Sequence, residues 1–183
     1  MSARSLPRRT LVLAALCLAC SPAAGRADLP TEYEVKAAYL YNFARFVEWP
    51  PASLPAAGKT FVVAVLGVDP FGDALDATLA GKQIMQRDLT VRRVARVEEA
   101  AGAQIVFISS SESPRLTRVL SALAGPGILT VGDMDDFARQ GGIIGFRMEQ
   151  RKVRFDINPR QAVRARLKIS SQLLRLAQLV EAP

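Results

Sequence analysis

The chain alternates between apolar runs typical of buried strands and segments with helical spacing. Continuous apolar runs at 61–66, 104–109 and 128–131 predict strands that are covered on both faces. A more polar run at 89–95 predicts one further strand. Because helical segments separate these runs, the pattern predicts βαβ units and a mainly parallel sheet.

The segments between and after the strands predict short helices at 69–80, 113–123 and 133–140, with a single helical turn at 97–102. No internal repeat or domain boundary interrupts this order. The sequence therefore predicts one α/β domain over residues 28–183. We expect three layers, with a mostly parallel central sheet of about five or six strands that is flanked by helices and carries an antiparallel edge hairpin.

The edge hairpin is predicted from residues 143–157. Apolar and polar residues alternate over 152–157, which is typical of a strand that is buried on one face. The strand at 143–148 precedes it, and a turn near 149–150 allows the two strands to pair antiparallel.

A long closing helix is predicted after the hairpin. Asn158 is a suitable cap, Pro159 fits the first helical position, and Gln161 completes a capping box. The spacing that follows is amphipathic, as expected of a helix packed on a sheet. The predicted buried face consists of Val163, Leu167, Ser170, Leu174 and Ala177, widened by Ile169, Leu173, Leu176 and Val180.

Residues 28–50 predict a first helix, which begins with a capping box of Thr31 and Glu34 and stops at the prolines at 50–51. All three tyrosines of the chain lie in this segment. The favoured interpretation is a helix that is buried from two sides. The alternative is that aromatic residues here stay open to a partner or a small ligand, since aromatics dominate binding hot spots.

The first 27 residues have the layout of a secretory signal peptide. Arginines at 4, 8 and 9 precede an apolar run at 11–19, and small residues lead to an expected cleavage after Ala27. The apolar run is too short to span a bilayer. A twin-arginine signal and lipidation at Cys20 are the less favoured alternatives. We therefore expect a periplasmic protein.

Charge gives no indication of a nucleic-acid partner. The signal segment contains four of the 24 basic residues and none of the 17 acidic ones, so the remaining chain has 20 basic and 17 acidic residues and a net charge of +3. That value does not require nucleic acid or an anionic membrane as a partner.

The absence of histidine limits the chemistry available to the protein. Both cysteines, Cys17 and Cys20, lie in the signal segment. The remaining chain thus has no disulfide, thiol nucleophile, His-based triad or Cys/His zinc site. We expect a protein without catalytic activity and without a cofactor.

Acidic residues near strand ends offer two candidate sites. Asp133, Asp135 and Asp136 follow the strand at 128–131 and could bind Mg²⁺, but acids also favour the first turn of a helix, and we prefer this capping interpretation. The segment 67–72 lacks the spacing of a phosphate-binding loop, so Asp69 is interpreted as a helix cap and turn residue.

Two segments near the ends of the chain carry a family resemblance. Residues 155–158 with 167–177, and residues 33–50, resemble the motifs of the YfiR family. The two matches bracket almost the whole chain after the signal segment. Some members of that family use disulfides, and this chain has no cysteine outside the signal to form one.

The resemblance implies a periplasmic protein that represses an inner-membrane diguanylate cyclase by binding its periplasmic sensor domain. Such a protein lowers cyclic di-GMP and biofilm formation. In that family an OmpA-like outer-membrane lipoprotein relieves repression by sequestering the repressor. A homodimer is left open, and nucleic acid is not expected as a partner.

A basic surface near the hairpin is the predicted partner-binding site, because arginine and aromatic groups suit protein interfaces. Its residues are Phe146, Arg147, Arg151, Arg154, Arg164 and Lys168. The competing hypothesis is a periplasmic small-molecule-binding sensor accessory protein, with a pocket near Tyr39, Phe43 and Trp49.

Overall fold

The computed structural model describes residues 29–181, through which an eight-stranded sheet runs. The signal peptide expected over residues 1–27 lies outside the described residues. The strands are β1 (Val47–Glu48), β2 (Phe61–Leu66), β3 (Gln83–Ile84), β4 (Arg87–Val94), β5 (Ile105–Ile108), β6 (Leu129–Gly132), β7 (Ile144–Glu149), β8 (Lys152–Ile157), β9 (Lys168–Ile169) and β10 (Gln178–Leu179). A second, two-stranded sheet joins β1 to β9.

The large sheet has the order β10-β8-β7-β6-β5-β2-β4-β3. Its five central strands, from β7 to β4, are parallel, whereas β3 pairs antiparallel with β4 and β8 pairs antiparallel with β7. The predicted α/β fold with a mostly parallel sheet and an antiparallel hairpin is therefore confirmed. The sheet is larger than predicted because β3 and β10 have two residues each, too few to show a period.

Within the described residues, five α-helices flank the sheet and give the predicted three layers. The helices are α1 (Glu32–Phe46), α2 (Asp73–Leu79), α3 (Leu116–Ala122), α4 (Pro159–Arg164) and α5 (Ser171–Leu176). α1 and α2 pack on one face through Leu40, Phe43 and Leu75, and α3 packs on the other through Leu116 and Val119.

The predicted capping box of α1 is present. The Thr31 amide donates to Glu34 Oε2 at 2.6 Å, and the Glu34 amide donates to Thr31 Oγ1 at 3.3 Å. α1 ends at Phe46, before the predicted stop at Pro50. It ends there because the chain straightens into β1, which pairs antiparallel with β9.

The prediction of one long closing helix is wrong. Its start is correct, since Asn158 caps α4 by accepting from the Gln161 amide at 3.2 Å. α4 ends at Arg164, and Arg166 takes a φ of +56°, which reverses the chain into β9. A second cap at Ser170 begins α5.

This break changes which apolar residues of the closing segment are buried. Leu167 and Leu173 are buried, with 3% and 2% of their surface exposed. Val163 and Leu176 are 72% and 66% exposed. The pairing of β9 with β1 interrupts the helical period. Residues that would share one face of a continuous helix therefore point in different directions before and after β9.

Residues 133–140 form turns instead of the predicted helix, and Asp136 has a φ of +54°. The ring of Phe137 holds this segment against the sheet. A Cβ at Gly132 or Gly142 would lie 2.6 Å or 2.1 Å from that ring, so only glycine permits this approach. Phe137 itself is 1% exposed.

Candidate partner-binding surface

The polar face of the β7–β8 hairpin carries two of the predicted arginines. Arg147 lies opposite Arg154 in the strand register. Arg147 donates from Nε to Asp156 Oδ1 at 2.7 Å and from Nη1 to Glu149 Oε2 at 2.9 Å. These hydrogen bonds raise the pKa of Arg147, and the bond to Asp156 has the larger effect. Arg154 is half exposed, with Nε 3.9 Å from Glu149 Oε2. Two cations are thus held side by side by two carboxylates.

A third predicted arginine, Arg151, lies at the tip of the hairpin. Gln150 and Arg151 form a two-residue turn with φ values of +49° and +60°. Positive φ at both positions is typical of the turn whose twist matches paired strands. The turn lies one residue later than predicted, and it leaves Arg151 exposed.

The outer edge of β8 is only partly paired. β10 reaches Asp156 and Ile157, and the Val180 amide donates to the Ile157 carbonyl at 2.9 Å. In an antiparallel pair, every second residue directs its backbone groups away from its partner, so Val153 also points its N–H and C=O outward. Among the described residues no strand pairs with this part of β8.

Phe146 is not part of this surface, and its predicted role there is wrong. It is 3% exposed and lies opposite Phe155, with its ring 5.7 Å from that of Phe43. Strand alternation puts Phe146 on the same face as Ile144, towards α1, while Arg147 faces the other way.

Arg164 and Lys168 lie away from the hairpin. Arg164 is at the end of α4, beside a pocket that also touches the end of α3. Lys168 is in β9, with Nζ 4.0 Å from Glu48 Oε2. The predicted basic surface is therefore divided among three sites, and only the hairpin unites three of its arginines.

The aromatic residues of the first helix are mostly core. Phe43 is 0% exposed, and Trp49 is 5% exposed with its Nε1 3.3 Å from the Gln104 carbonyl oxygen, to which it donates. Tyr39 is half-buried against Phe43 and Phe155. The interpretation of a buried helix is correct for Phe43, and Trp49, which lies beyond the end of α1, is buried as well, so neither side chain is open to a ligand.

A buried ion pair between Lys36 and Asp133 was not found from the sequence. Lys36 Nζ lies 2.8 Å from Asp133 Oδ2, and the two side chains are 4% and 6% exposed. The Tyr33 hydroxyl donates to the same oxygen at 2.9 Å, and Glu32 is a second partner of Lys36. Burial, and then the nearby Asp133 carboxylate, raise the pKa of Tyr33.

The capping interpretation of Asp133 is therefore wrong, because no helix begins there and the carboxylate faces α1. Its Oδ1 is buried without a hydrogen-bond partner in the described part of the chain. The cluster joins the start of α1 to the end of β6. The sequence signal was a lysine between Val35 and Ala37 in a helix that otherwise turns apolar residues inward.

Asp69 is a turn residue, as predicted, but not a helix cap. Its Oδ1 accepts from the Phe71 amide at 2.8 Å, and its Oδ2 lies 2.7 Å from Arg93 Nε. α2 starts only at Asp73, after Gly72.

The described part of the chain shows neither a metal site nor a membrane span. Within residues 29–181, no group of three or more His, Cys, Asp or Glu side chains is placed to hold a metal ion. In the same range, no helix combines the length and apolar character needed to cross a membrane.

Fold and surface together define an α/β domain that exposes a charged, partly unpaired sheet edge. Residues 33–178 match the YfiR/HmsC-like family, so the chain belongs to that family, and the resemblance seen in its two terminal motifs is confirmed. The family consists of periplasmic regulatory proteins that act with a membrane diguanylate cyclase. No curated protein sequence matches the chain.

Proposed function

We propose that this protein represses an inner-membrane diguanylate cyclase by binding its periplasmic sensor domain through the hairpin surface. We define the hairpin surface as Arg147, Arg151 and Arg154 together with the unpaired outer edge of β8. Binding keeps the cyclase inactive and so lowers cyclic di-GMP and biofilm formation. The protein acts as a binding regulator without catalysis.

The observation that carries this proposal is the combination of exposed arginines with an open strand edge. A strand edge offers backbone groups that an extended segment of a partner can pair with. Arg151 and Arg154 are exposed beside that edge, and the carboxylates of the hairpin hold Arg147 in place. Such a surface suits a partner that presents an extended segment with acidic side chains.

We further propose that an outer-membrane, OmpA-like lipoprotein relieves repression by competing for the same surface. A competitor for the hairpin surface frees the cyclase without any chemical step. The three arginines favour fast, salt-sensitive association with an acidic partner, which suits a repressor that is exchanged between two proteins.

A binding assay with a charge-reversed variant tests the proposal. Arg151→Glu with Arg154→Glu should weaken binding to the periplasmic domain of the host's target cyclase at least about tenfold, since interface arginines are often hot spots. The fold should persist, because exposed charges contribute little to stability. Isothermal titration calorimetry measures the affinity directly.

Arg118→Glu is the matched control, since Arg118 is an exposed arginine on α3 that belongs to neither the hairpin nor its neighbours. It should bind the cyclase domain like the unmodified protein. Equal affinities for the hairpin variant and the control would contradict the proposed surface.

A further inference from the structure

A pocket lies between the end of α3, the start of β6 and α4. Its volume is about 180 Å³. Its apolar lining comes from Leu120, Leu123, Ile128 and Ile143. An apolar cavity of roughly 150 Å³ accommodates benzene, so this space is suited to a group the size of a single ring.

The rim of the pocket is polar and carries a cation. Arg164 and Gln161, one turn apart on α4, lie at the rim. None of the ion pairs among the described residues involves Arg164. On the same helix, Arg160 does form an ion pair, with its Nη2 3.1 Å from Glu181 Oε2. A guanidinium presents parallel N–H groups that match a carboxylate.

A buried hydroxyl completes the polar side. Thr130 is 5% exposed, and its Oγ1 accepts from the Ile143 amide at 3.1 Å. A hydroxyl that accepts in this way still has its own proton to donate. Thr130 also lines the pocket, so a bound carboxylate or other acceptor finds a second donor besides Arg164.

We propose that this pocket binds a small monocarboxylate with a single-ring or short branched apolar body. The apolar lining takes the body, and Arg164, assisted by Gln161 and Thr130, takes the carboxylate. Binding pockets commonly combine an apolar lining with a few such polar groups. The site uses none of the aromatic residues of the first helix and does not depend on the proposed repression of a cyclase.

Sodium benzoate is the probe that tests this site, with benzamide as its neutral counterpart of the same shape. In two-dimensional ¹H–¹⁵N NMR of the full domain, benzoate should shift the amide resonances of Gly125 and Gly141, both in the lining. A ligand of this size should bind with a Kd of about 1 mM or tighter. Benzamide should bind at least about tenfold more weakly, because it cannot form the charged contact.

Substitution of the arginine isolates its role. Arg164→Gln should weaken benzoate binding at least about tenfold. The affinity of Arg164→Lys should lie between those of the unmodified protein and Arg164→Gln, since lysine keeps the charge but lacks the paired N–H donors of the guanidinium. Arg160→Gln, on the same helix, should leave binding within about twofold, because its side chain is outside the pocket. Absence of shifts in the pocket resonances, equal binding of benzamide, or equal loss in the two glutamine variants would each overturn the proposal.

Discussion

At the scale of single residues, the main unexpected feature is the buried ion pair of Lys36 and Asp133. Taking two charges out of water costs free energy, which is offset only when geometry and further hydrogen bonds are good. Here Tyr33 and Glu32 supply those bonds. Charged groups held in this way tie the first turn of α1 to β6 in a single position.

Removal of one partner of this pair should be costly. Lys36→Met leaves the Asp133 carboxylate buried and uncompensated, so it should lower the free energy of unfolding by roughly 3–5 kcal/mol. Glu32→Gln, which removes the half-exposed partner, should cost less than about 1 kcal/mol. Urea denaturation measures the free energy of unfolding of both variants. A loss for Lys36→Met no larger than that for Glu32→Gln would contradict the dependence of Asp133 on Lys36.

Tyr33 makes the free energy of unfolding depend on pH in the alkaline range. Its pKa is raised in the folded protein by burial and by Asp133, so the unfolded chain loses this proton first, near the ordinary tyrosine value of about 10. The contribution is fully present below that pH and is lost as pH rises through the higher folded pKa. The stability advantage of the unmodified protein over Tyr33→Phe should therefore shrink above about pH 10.

Melting temperatures of both proteins from pH 8 upward measure this effect. A constant difference across that range would mean that the pKa of Tyr33 is the same in the folded and unfolded states.

At the scale of elements, local signals correctly predicted the starts of α1 and α4. The caps at Thr31 and Asn158 are formed by residues three positions apart, which a sequence displays directly. The end of α4 was missed because β9 exists only through its pairing with β1, more than a hundred residues earlier in the chain. Two residues of strand carry no recognisable period, so propensity alone extended the helix across them.

The hairpin shows how the candidate site was partly predictable. A period of two correctly put Arg147 and Arg154 on the polar face, because alternation is a local property. The prediction that Phe146 lies on the surface fails because the same alternation puts it opposite Phe155, on the buried face of the hairpin. Arg164 and Lys168 were grouped with the hairpin because one continuous helix was expected, and the break after α4 separates them.

The interrupted closing segment gives a stability prediction for three leucines. Leu167→Ala should lower the free energy of unfolding by roughly 2–5 kcal/mol, as expected for a buried leucine. Leu174→Ala should cost less, because that side chain is only partly buried. Leu176→Ala is the control and should be nearly neutral, since Leu176 is 66% exposed.

Guanidinium denaturation of the three variants gives the ranking. If Leu176→Ala lowered the free energy of unfolding as much as Leu167→Ala, the result would favour the single amphipathic helix predicted from the sequence.

At the scale of the whole molecule, the two proposed binding sites lie on different elements of one fold. The hairpin surface lies on β7 and β8, and the proposed carboxylate pocket lies between α3 and α4. α4 follows β8 directly, and Asn158 between them donates from Nδ2 to the Ala138 carbonyl at 2.9 Å, which holds this junction against the turns at 133–140.

Cellular cyclic di-GMP is the quantity that tests the central claim, repression through the hairpin surface, most directly. It should be measured in the native host after deletion of this gene and complementation with the unmodified protein, the Arg151→Glu and Arg154→Glu double variant, or Arg118→Glu, each at equal periplasmic level. The unmodified protein and Arg118→Glu should restore low cyclic di-GMP, while the double variant should leave it near the level of the deletion. Full repression by the folded double variant would contradict the account.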